Sequence, residues 1–242
     1  MIIMMINNNK DIMSSKYYDL EQINKEFLKN APSYAKDEAS SALNKLFELQ
    51  SQGILHDGIY YIVLVDIVGS TKYGAEHGNL KLAERIKIFV TYSFNALSVS
   101  KIKNNGIFLK EIGDAVLFIF QHFLDILKWR ENLRQYLMPS SQPFELRTCI
   151  HIGEVTLEGL NPTTLAVSQT FKMEKSVKGN DIVLTEPAYS VAWPTITRAY
   201  NGFSDYGTVN LDGFKVPLKL HKLELHDDDD LIRIIQENST AD

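Results

Sequence analysis

The sequence contains a single cysteine among 242 residues and has no cluster of basic residues. One thiol, Cys149, cannot form an intramolecular disulfide, which is typical of a protein kept in a reducing cytoplasm. The formal net charge is −5, and without a basic patch the chain is not expected to bind nucleic acid. The apolar runs are no longer than a β-strand, so no membrane-spanning helix is predicted. These absences indicate a cytoplasmic globular protein.

The pattern of apolar residues, which make up 45% of the chain, divides it into three parts. Residues 1–56 are expected to form an N-terminal helical extension, because apolar residues recur there at three- and four-residue steps. This extension either mediates oligomerisation or covers one face of the following domain. Residues 57–226 are expected to form the main domain. Residues 227–242 form a C-terminal tail, whose first four aspartates, Asp227–Asp230, are expected in a solvated loop.

The main domain is predicted to follow the order strand, helix, strand, strand, helix, strand, which is an α+β, ferredoxin-like split βαβ arrangement. The predicted segments are a strand at 59–65, a polar loop after Asp66, a helix at 80–97, a hairpin at 107–120, a helix at 123–137 and a strand at 144–152. Beyond them the pattern predicts a helix at 166–177, a short strand at 181–185, a short helix from Pro187 and a closing hairpin within 207–225.

Two acidic residues stand at the ends of the most apolar predicted strands. Asp66 follows the run 59–65, and Asp114 follows Gly113 at the tip of the predicted hairpin. A carboxylate that emerges from a buried strand is costly unless a cation meets it, although a lone Asp at such a place more often caps the next helix. If the two strands are neighbours, the carboxylates converge, and such a pair suggests Mg²⁺ or Mn²⁺.

Three segments taken together resemble the successive signatures of class III nucleotidyl cyclases. They are Val-Asp-Ile-Val-Gly-Ser-Thr at 65–71, Lys-Glu-Ile-Gly-Asp at 110–114 and Arg-Thr-Cys-Ile-His-Ile-Gly-Glu-Val at 147–155. The resemblance extends from about residue 58 to residue 225, and that family has a similar fold. It implies an enzyme that converts a nucleoside triphosphate to a 3′,5′-cyclic nucleotide and pyrophosphate.

The resemblance also implies roles for individual residues. Asp66 and Asp114 would hold two divalent ions per site, Mg²⁺ or Mn²⁺, with the main-chain carbonyl of Ile67 as a further ligand. The backbone N–H groups that would hold the terminal phosphates belong to Val68, Gly69, Ser70 and Thr71. The other half of each site would come from a second copy of the chain, so the resemblance implies a homodimer with composite active sites.

That other half departs from the family pattern. Family members with purine substrates carry an Asn and, four residues later, an Arg on one helix, and the matching residues here are Ser168 and Lys172. An alignment shifted by one residue would place Gln169 and Met173 there instead. Lysine keeps the positive charge but loses the forked, bidentate grip of arginine on a phosphate.

Base recognition departs from the pattern as well. Lys110 matches the lysine that adenylate cyclases place at the purine edge, but the position of its Asp partner is Asn161, or Thr163 or Thr164. Such a divergent pocket resembles the pyrimidine cyclases of phage-defence systems, which make cyclic UMP or cyclic CMP for a separate effector. UTP or CTP is therefore the expected substrate. The alternatives are an adenylate cyclase that makes cyclic AMP, or a catalytically silent pseudocyclase that binds nucleotide.

Four other polar residues are given structural roles. Arg147 is expected to pair with a carboxylate rather than with a phosphate, and Glu111 is expected to face solvent on the side of its strand opposite Lys110. Cys149 reads as a small buried side chain. His151 lies in a strand without matching ligand spacing, so it is not expected to bind a metal.

Overall fold

The computed structural model describes residues 57–98, 104–139, 143–156, 164–196, 202–225 and 230–239. All of these residues belong to one compact unit. Several predictions lie outside the described residues: the N-terminal helical extension, Asn161, Thr163 and most of the aspartate run.

The described elements are seven strands and six helices. The strands are β1 (Gly58–Ile67), β2 (Ile107–Ile112), β3 (Ala115–Phe120), β4 (Leu146–Val155), β5 (Ile182–Thr185), β6 (Phe203–Val209) and β7 (Leu218–Leu223). The helices are α1 (Ser70–His77), α2 (Asn79–Ser98), α3 (Phe123–Leu137), α4 (Leu165–Met173), α5 (Glu186–Ile196) and α6 (Asp230–Ser239). No helix in this part of the chain combines the length and the apolar character needed to cross a bilayer.

The strands form one sheet in the order β2-β3-β1-β4-β5-β7-β6. Strand β1 lies between β3 and β4 and is antiparallel to both, and β2 is antiparallel to β3. This four-strand part is the predicted ferredoxin-like arrangement, so the α+β fold class is confirmed. Strand β5 adds parallel to β4, and β7 and β6 extend the sheet as an antiparallel pair.

The two faces of β1 bury different sets of side chains, because successive residues of a strand point to opposite faces. The odd-numbered residues, from Tyr61 to Ile67, belong to the main core together with Phe118, Phe120 and Trp129, which are all fully buried. Helices α2 and α3 cover this face. The even-numbered residues, which include Asp66, point to the other face, where α4 packs against β4 and β1.

The segment after Asp66 differs from the prediction, because it forms helix α1 instead of a polar loop. Gly69, with a φ of 73°, turns the chain into this helix. Gly74 gives the close approach to α2, since a Cβ there would lie 2.8 Å from Cδ2 of Leu82. The ring of Tyr73 also packs against His77, with centroids 4.3 Å apart. The helix has almost no apolar stripe, so hydrophobic periodicity did not reveal it.

The prediction of a solvated loop is wrong for Asp230, which is fully buried as the first residue of α6. Its carboxylate accepts a hydrogen bond from Arg233 one turn later. An acidic residue in the first turn is favourable at the positive end of the helix dipole. The aspartate run therefore contributes one helix-starting residue that its composition alone does not distinguish.

Candidate functional site

Asp66 lies one residue before the end of β1, on the face covered by α4. It is directly opposite Ala115 of β3 and Arg147 of β4, and only 5% of its surface is exposed. Burial is the main reason that the pKa of Asp66 is raised to about 6, the hydrogen bond from Arg147 opposes the rise, and the negative charge of Asp114 adds to it. Such a carboxylate gains from any cation that reaches it.

Asp114 lies in the turn between β2 and β3, where Gly113 has a φ of 64°. Its main-chain carbonyl accepts a hydrogen bond from the N–H of Ile67 at 3.3 Å. Its carboxylate accepts a hydrogen bond from the hydroxyl of Ser70. These two contacts attach the turn to the end of β1, so the two carboxylates lie close enough for the charge of Asp114 to act on Asp66.

The turn between Asp66 and α1 contains the predicted phosphate-binding backbone. The N–H of Val68 is donated to the carbonyl of Glu145 at 2.9 Å, so it is already engaged in this structure. The remaining predicted donors are Gly69, Ser70 and Thr71 at the start of α1, which no side chain of the described residues caps. The first N–H groups of a helix have no acceptor within the helix, so this end of α1 suits an anion.

Arg147 pairs with carboxylates, as predicted, and it has two such partners, Asp66 and Glu174. Its Nε lies 2.6 Å from Oδ2 of Asp66, and its Nη2 lies 2.8 Å from Oε1 of Glu174. Nη1 is also 3.5 Å from the main-chain carbonyl of Glu174. One guanidinium therefore joins the end of the central strands to the 3₁₀ turn Glu174–Ser176 that follows α4.

Helix α4 presents one face to the sheet and another away from it. Thr164 caps the helix by accepting a hydrogen bond from the N–H of Val167. Met173 is fully buried, and Gln169 hydrogen-bonds to His151 of β4. Ser168 is exposed and Lys172 is half-buried. Gln169 and Met173, the residues of the shifted alignment, therefore both contact the domain itself, whereas Ser168 is exposed.

Lys172 does not contact either aspartate within the described part of the chain. Its Nζ donates a hydrogen bond to the carbonyl of Asp212 and lies 5.4 Å from the centroid of the Phe214 ring. Both partners belong to the connection between β6 and β7. Gly213, with a φ of 80°, leaves room for the ammonium group, because a Cβ there would lie 3.3 Å from Nζ.

Lys110 of β2 points to the same face as Asp66, because it is paired with Leu117 and Leu117 is paired with Leu64. It is half-buried, and burial lowers the pKa of its amine. Glu111 lies on the opposite face, as predicted, but that face is covered by α2. Glu111 is therefore half-buried instead of solvent-facing, and burial raises the pKa of its carboxyl.

The interior of β4 is consistent with structural roles for two other residues. Cys149 is completely buried, and burial raises the pKa of its thiol. His151 is 5% exposed, and its Nδ1 lies 2.8 Å from Oγ1 of Thr185. Burial lowers the pKa of His151 to about 4, so the ring is neutral near pH 7 and serves as a hydrogen-bonding core residue.

The donor set at the end of β1 fits a hard divalent cation that is shared with a ligand. Asp66 and Asp114 offer carboxylate oxygens, and Ile67, the residue after Asp66, offers a main-chain carbonyl. Within the described residues no group of three or more His, Cys, Asp or Glu side chains forms a complete metal site. Mg²⁺ is commonly bound by only one or two protein carboxylates, so this set is compatible with such a cation.

Solved structures of adenylate and guanylate cyclases have a similar fold. An adenylate/guanylate cyclase/hydrolase from Silicibacter pomeroyi has a TM-score of 0.57 and 18% identity, over 70% of this chain and 98% of that one. An adenylate cyclase from Trypanosoma brucei has a TM-score of 0.57 and 14% identity, over 68% of this chain and 87% of that one. The adenylyl cyclase CyaB from P. aeruginosa has a TM-score of 0.53 and 17% identity, over 72% and 98%.

The fold is that of adenylate and guanylate cyclase domains. No family model matches the sequence, and no curated protein matches it. The cyclase fold therefore rests on three-dimensional similarity at sequence identities below a fifth. Within this fold, the predicted residues Asp66 and Asp114 are brought together, whereas Lys172 is held by its own chain.

Sequence reasoning missed two residues of this site. Glu174 anchors Arg147, and Glu145 accepts the N–H of Val68. Both lie outside the three motifs that carry the resemblance. The role of Glu174 could have been suspected from its position directly after α4, where its carboxylate can reach the guanidinium of Arg147 at the start of β4. The sequence alone does not give the register that makes this contact.

Proposed function

We propose that the protein is a metal-dependent nucleotidyl cyclase that converts a nucleoside triphosphate to a 3′,5′-cyclic nucleotide and pyrophosphate. The observation that carries the proposal is the meeting of Asp66 and Asp114 at adjoining strand ends, beside the start of α1, within a cyclase fold. Two carboxylates at such a place repel each other unless a cation lies between them. A divalent cation with a bound triphosphate removes that repulsion.

In the proposed reaction the ribose 3′-oxygen attacks the α-phosphorus and its proton is lost. The bond between the α-phosphorus and the oxygen bridging to the β-phosphorus breaks, and pyrophosphate leaves. Mg²⁺ or Mn²⁺, two ions per site, would lower the pKa of the 3′-hydroxyl and neutralise phosphate charge. Asp66, Asp114 and the carbonyl of Ile67 hold the cations, Ser70 keeps the Asp114 carboxylate in place, and the N–H groups at the start of α1 bind the terminal phosphates.

The second half of the site is assigned to Ser168 and Lys172 of a partner chain in a homodimer. The two residues are one helical turn apart on the outer face of α4. Ser168 would orient the ribose, and the ammonium of Lys172 would stabilise the charge that develops on the attacked phosphate. In the single chain this ammonium is bonded to Asp212, so formation of the productive site requires it to leave that carbonyl for the nucleotide.

The proposed substrate is UTP or CTP. Lys110 lies on the same face as Asp66, where its amine is a donor to a base carbonyl such as O2 of a pyrimidine. The acidic partner that would complete a purine pocket is missing, because the matching position is occupied by Asn161, or by Thr163 or Thr164. We place the product, cyclic UMP or cyclic CMP, as a second messenger that acts on a separate effector in phage defence. The triphosphate pool and the lone thiol suit a cytoplasmic enzyme.

Product analysis tests both the activity and the base. Purified protein is incubated with Mn²⁺ and each of ATP, GTP, UTP and CTP, and cyclic nucleotide and pyrophosphate are quantified by mass spectrometry. We expect equimolar cyclic pyrimidine nucleotide and pyrophosphate. The matching 3′-deoxynucleoside triphosphate lacks the nucleophile and should yield neither product. Cyclic AMP alone would overturn the pyrimidine assignment, and no cyclic product from any triphosphate would overturn the enzymatic one.

A pseudocyclase is the second candidate, and one observation favours it. Two cationic residues near the site are engaged within the chain: Arg147 with Asp66, and Lys172 with Asp212. A protein built only to bind nucleotide would keep these contacts. Calorimetric titration with a triphosphate in the presence of Mn²⁺ measures binding, and the product analysis measures pyrophosphate. A pseudocyclase binds the triphosphate without releasing pyrophosphate, whereas a cyclase releases it.

A further inference from the structure

The carboxylate of Asp66 is one end of a three-residue chain, Asp66–Arg147–Glu174. The two distances are 2.6 Å to Asp66 and 2.8 Å to Glu174. The side chain of Asp66 is 7% exposed, whereas those of Arg147 and Glu174 are each 23% exposed. The guanidinium therefore connects a deeply placed carboxylate to a more accessible one.

The guanidinium contacts its two partners through different atoms. Nε donates to Asp66, while Nη2 and Nη1 face the side chain and the main-chain carbonyl of Glu174. The link to Asp66 can thus be broken while the links to Glu174 persist. A lysine in this place would be a point charge without separate edges.

The linked residues Asp66, Arg147 and Glu174 also affect the proposed cation site. Asp66 binds a divalent cation less tightly while the guanidinium of Arg147 holds one of its oxygens, because two positive groups at one carboxylate repel each other. A buried carboxylate with no partner at all is costly as well. Arg147 is placed to satisfy Asp66 in the absence of the cation and to withdraw toward Glu174 in its presence.

We infer that Arg147 is a positioning residue that competes with the divalent cation for Asp66, and that Glu174 is the carboxylate that retains Arg147 when the cation binds. The inference rests on the proposed function, because it takes Asp66 as a metal ligand. Glu174 follows α4 directly and lies two residues after Lys172. Cation binding and the position of the helix end that carries Lys172 are therefore coupled through one side chain.

An ion pair with a purely structural role would behave differently on mutation. Loss of either partner of a structural pair would disturb Asp66 and lower cation affinity, or leave it unchanged. Competition predicts that mutation of Arg147 and mutation of Glu174 change the cation affinity in opposite directions. Removing Arg147 frees Asp66 for the cation, whereas removing the Glu174 charge leaves Arg147 with Asp66 alone.

The test measures Mn²⁺ binding to the full-length protein without nucleotide, by the electron paramagnetic resonance signal of free Mn²⁺. We expect Arg147→Gln to tighten Mn²⁺ binding about tenfold and Glu174→Gln to weaken it severalfold. Lys222→Gln is the matched control, since Lys222 also bridges two carboxylates, those of Asp181 and Glu224, and it should leave binding unchanged. Thermal melting with and without Mn²⁺ gives a second readout and verifies folding.

The outcomes separate this inference from the function on which it rests. If Asp66→Asn abolishes Mn²⁺ binding but Arg147→Gln weakens it or leaves it unchanged, the inference is overturned and the cation site stands. If Asp66→Asn does not affect Mn²⁺ binding, the cation site and the proposed function are both overturned. Should Arg147→Gln fail to fold, the weakening expected for Glu174→Gln still decides, since unchanged or tighter binding there contradicts competition.

Discussion

A Cβ atom on Gly153 would lie 2.4 Å from the Cβ of Ala166, so α4 rests directly on the backbone of β4. This contact sets the height of the helix above the sheet. Ser168 and Lys172 extend from the same helix, and Glu174 follows it. The close contact between Gly153 and Ala166 therefore helps to position the groups that α4 brings toward the proposed site.

The variant Gly153→Ala is expected to lower the free energy of unfolding by about 1–3 kcal/mol, because the added methyl group forces the helix away from the strand. Turnover should fall as well, since Ser168 and Lys172 move with α4. The double variant with Ala166→Gly restores the space and should recover most of both losses. Denaturant titration and product assays on the four proteins form a double-mutant cycle. Additive losses in the double variant would show that this contact does not set the helix height.

Replacement of Lys172 by Met is expected to lower kcat about 10²–10³-fold with little change in KM, as for loss of a group that stabilises the transition state. Lys172→Arg should keep most of the activity, because the charge remains and the forked group binds phosphate. Lys175→Met, at an exposed lysine of the same segment, is the control for charge loss. Equal rates for Lys172→Met and Lys175→Met would remove Lys172 from the proposed site.

Two buried serines are expected to respond in opposite ways to replacement by alanine. Ser70 donates to the charged carboxylate of Asp114, so Ser70→Ala should lower stability by about 1–3 kcal/mol and weaken Mn²⁺ binding. The hydroxyl of Ser93 is buried without a hydrogen-bond partner among the described residues, so Ser93→Ala should be neutral or stabilising. Thermal melts and Mn²⁺ titrations measure both effects. Destabilisation by Ser93→Ala equal to that of Ser70→Ala would contradict the assignment.

His151 gives the fold a dependence on acid. Because burial lowers its pKa from 6.5 to about 4, its contribution to stability is fully present above pH 6.5 and is lost as the pH falls through 4. The loss amounts to about 3 kcal/mol from this group alone. The unfolding free energy of the wild type, measured relative to that of His151→Gln, should therefore decline from pH 6.5 to pH 4. A constant difference between the two proteins across this range would show that folding does not lower the pKa of His151.

The regular elements could be predicted because their side-chain patterns are local. Helix α3 has the predicted bounds, residues 123–137, since its apolar residues recur at helical spacing over fifteen residues. The hairpin around Gly113 was also predicted, because glycine allows the positive φ of its turn. Helix α1 was missed, since its stability comes from contacts of Gly74 and Tyr73 instead of from an apolar stripe.

The site could be predicted only in part, and for a related reason. Asp66 and Asp114 are recognisable because each ends an apolar strand. The partners of Arg147 were not identified, since they depend on which residue of β1 lies opposite it and on the turn after α4. Strand register between segments 81 residues apart in sequence is fixed by packing of the whole sheet, which one sequence does not encode locally.

The most direct test of the central claim compares cyclic nucleotide formation by the wild type, Asp66→Asn and Asp114→Asn under saturating Mn²⁺ and triphosphate. Asp181→Asn, which alters a carboxylate that is paired with Lys222 outside the site, is the control. We predict that each site variant remains folded and loses about a thousandfold in rate, while the control keeps wild-type activity. A folded Asp66→Asn or Asp114→Asn protein that forms product at the wild-type rate would contradict the account.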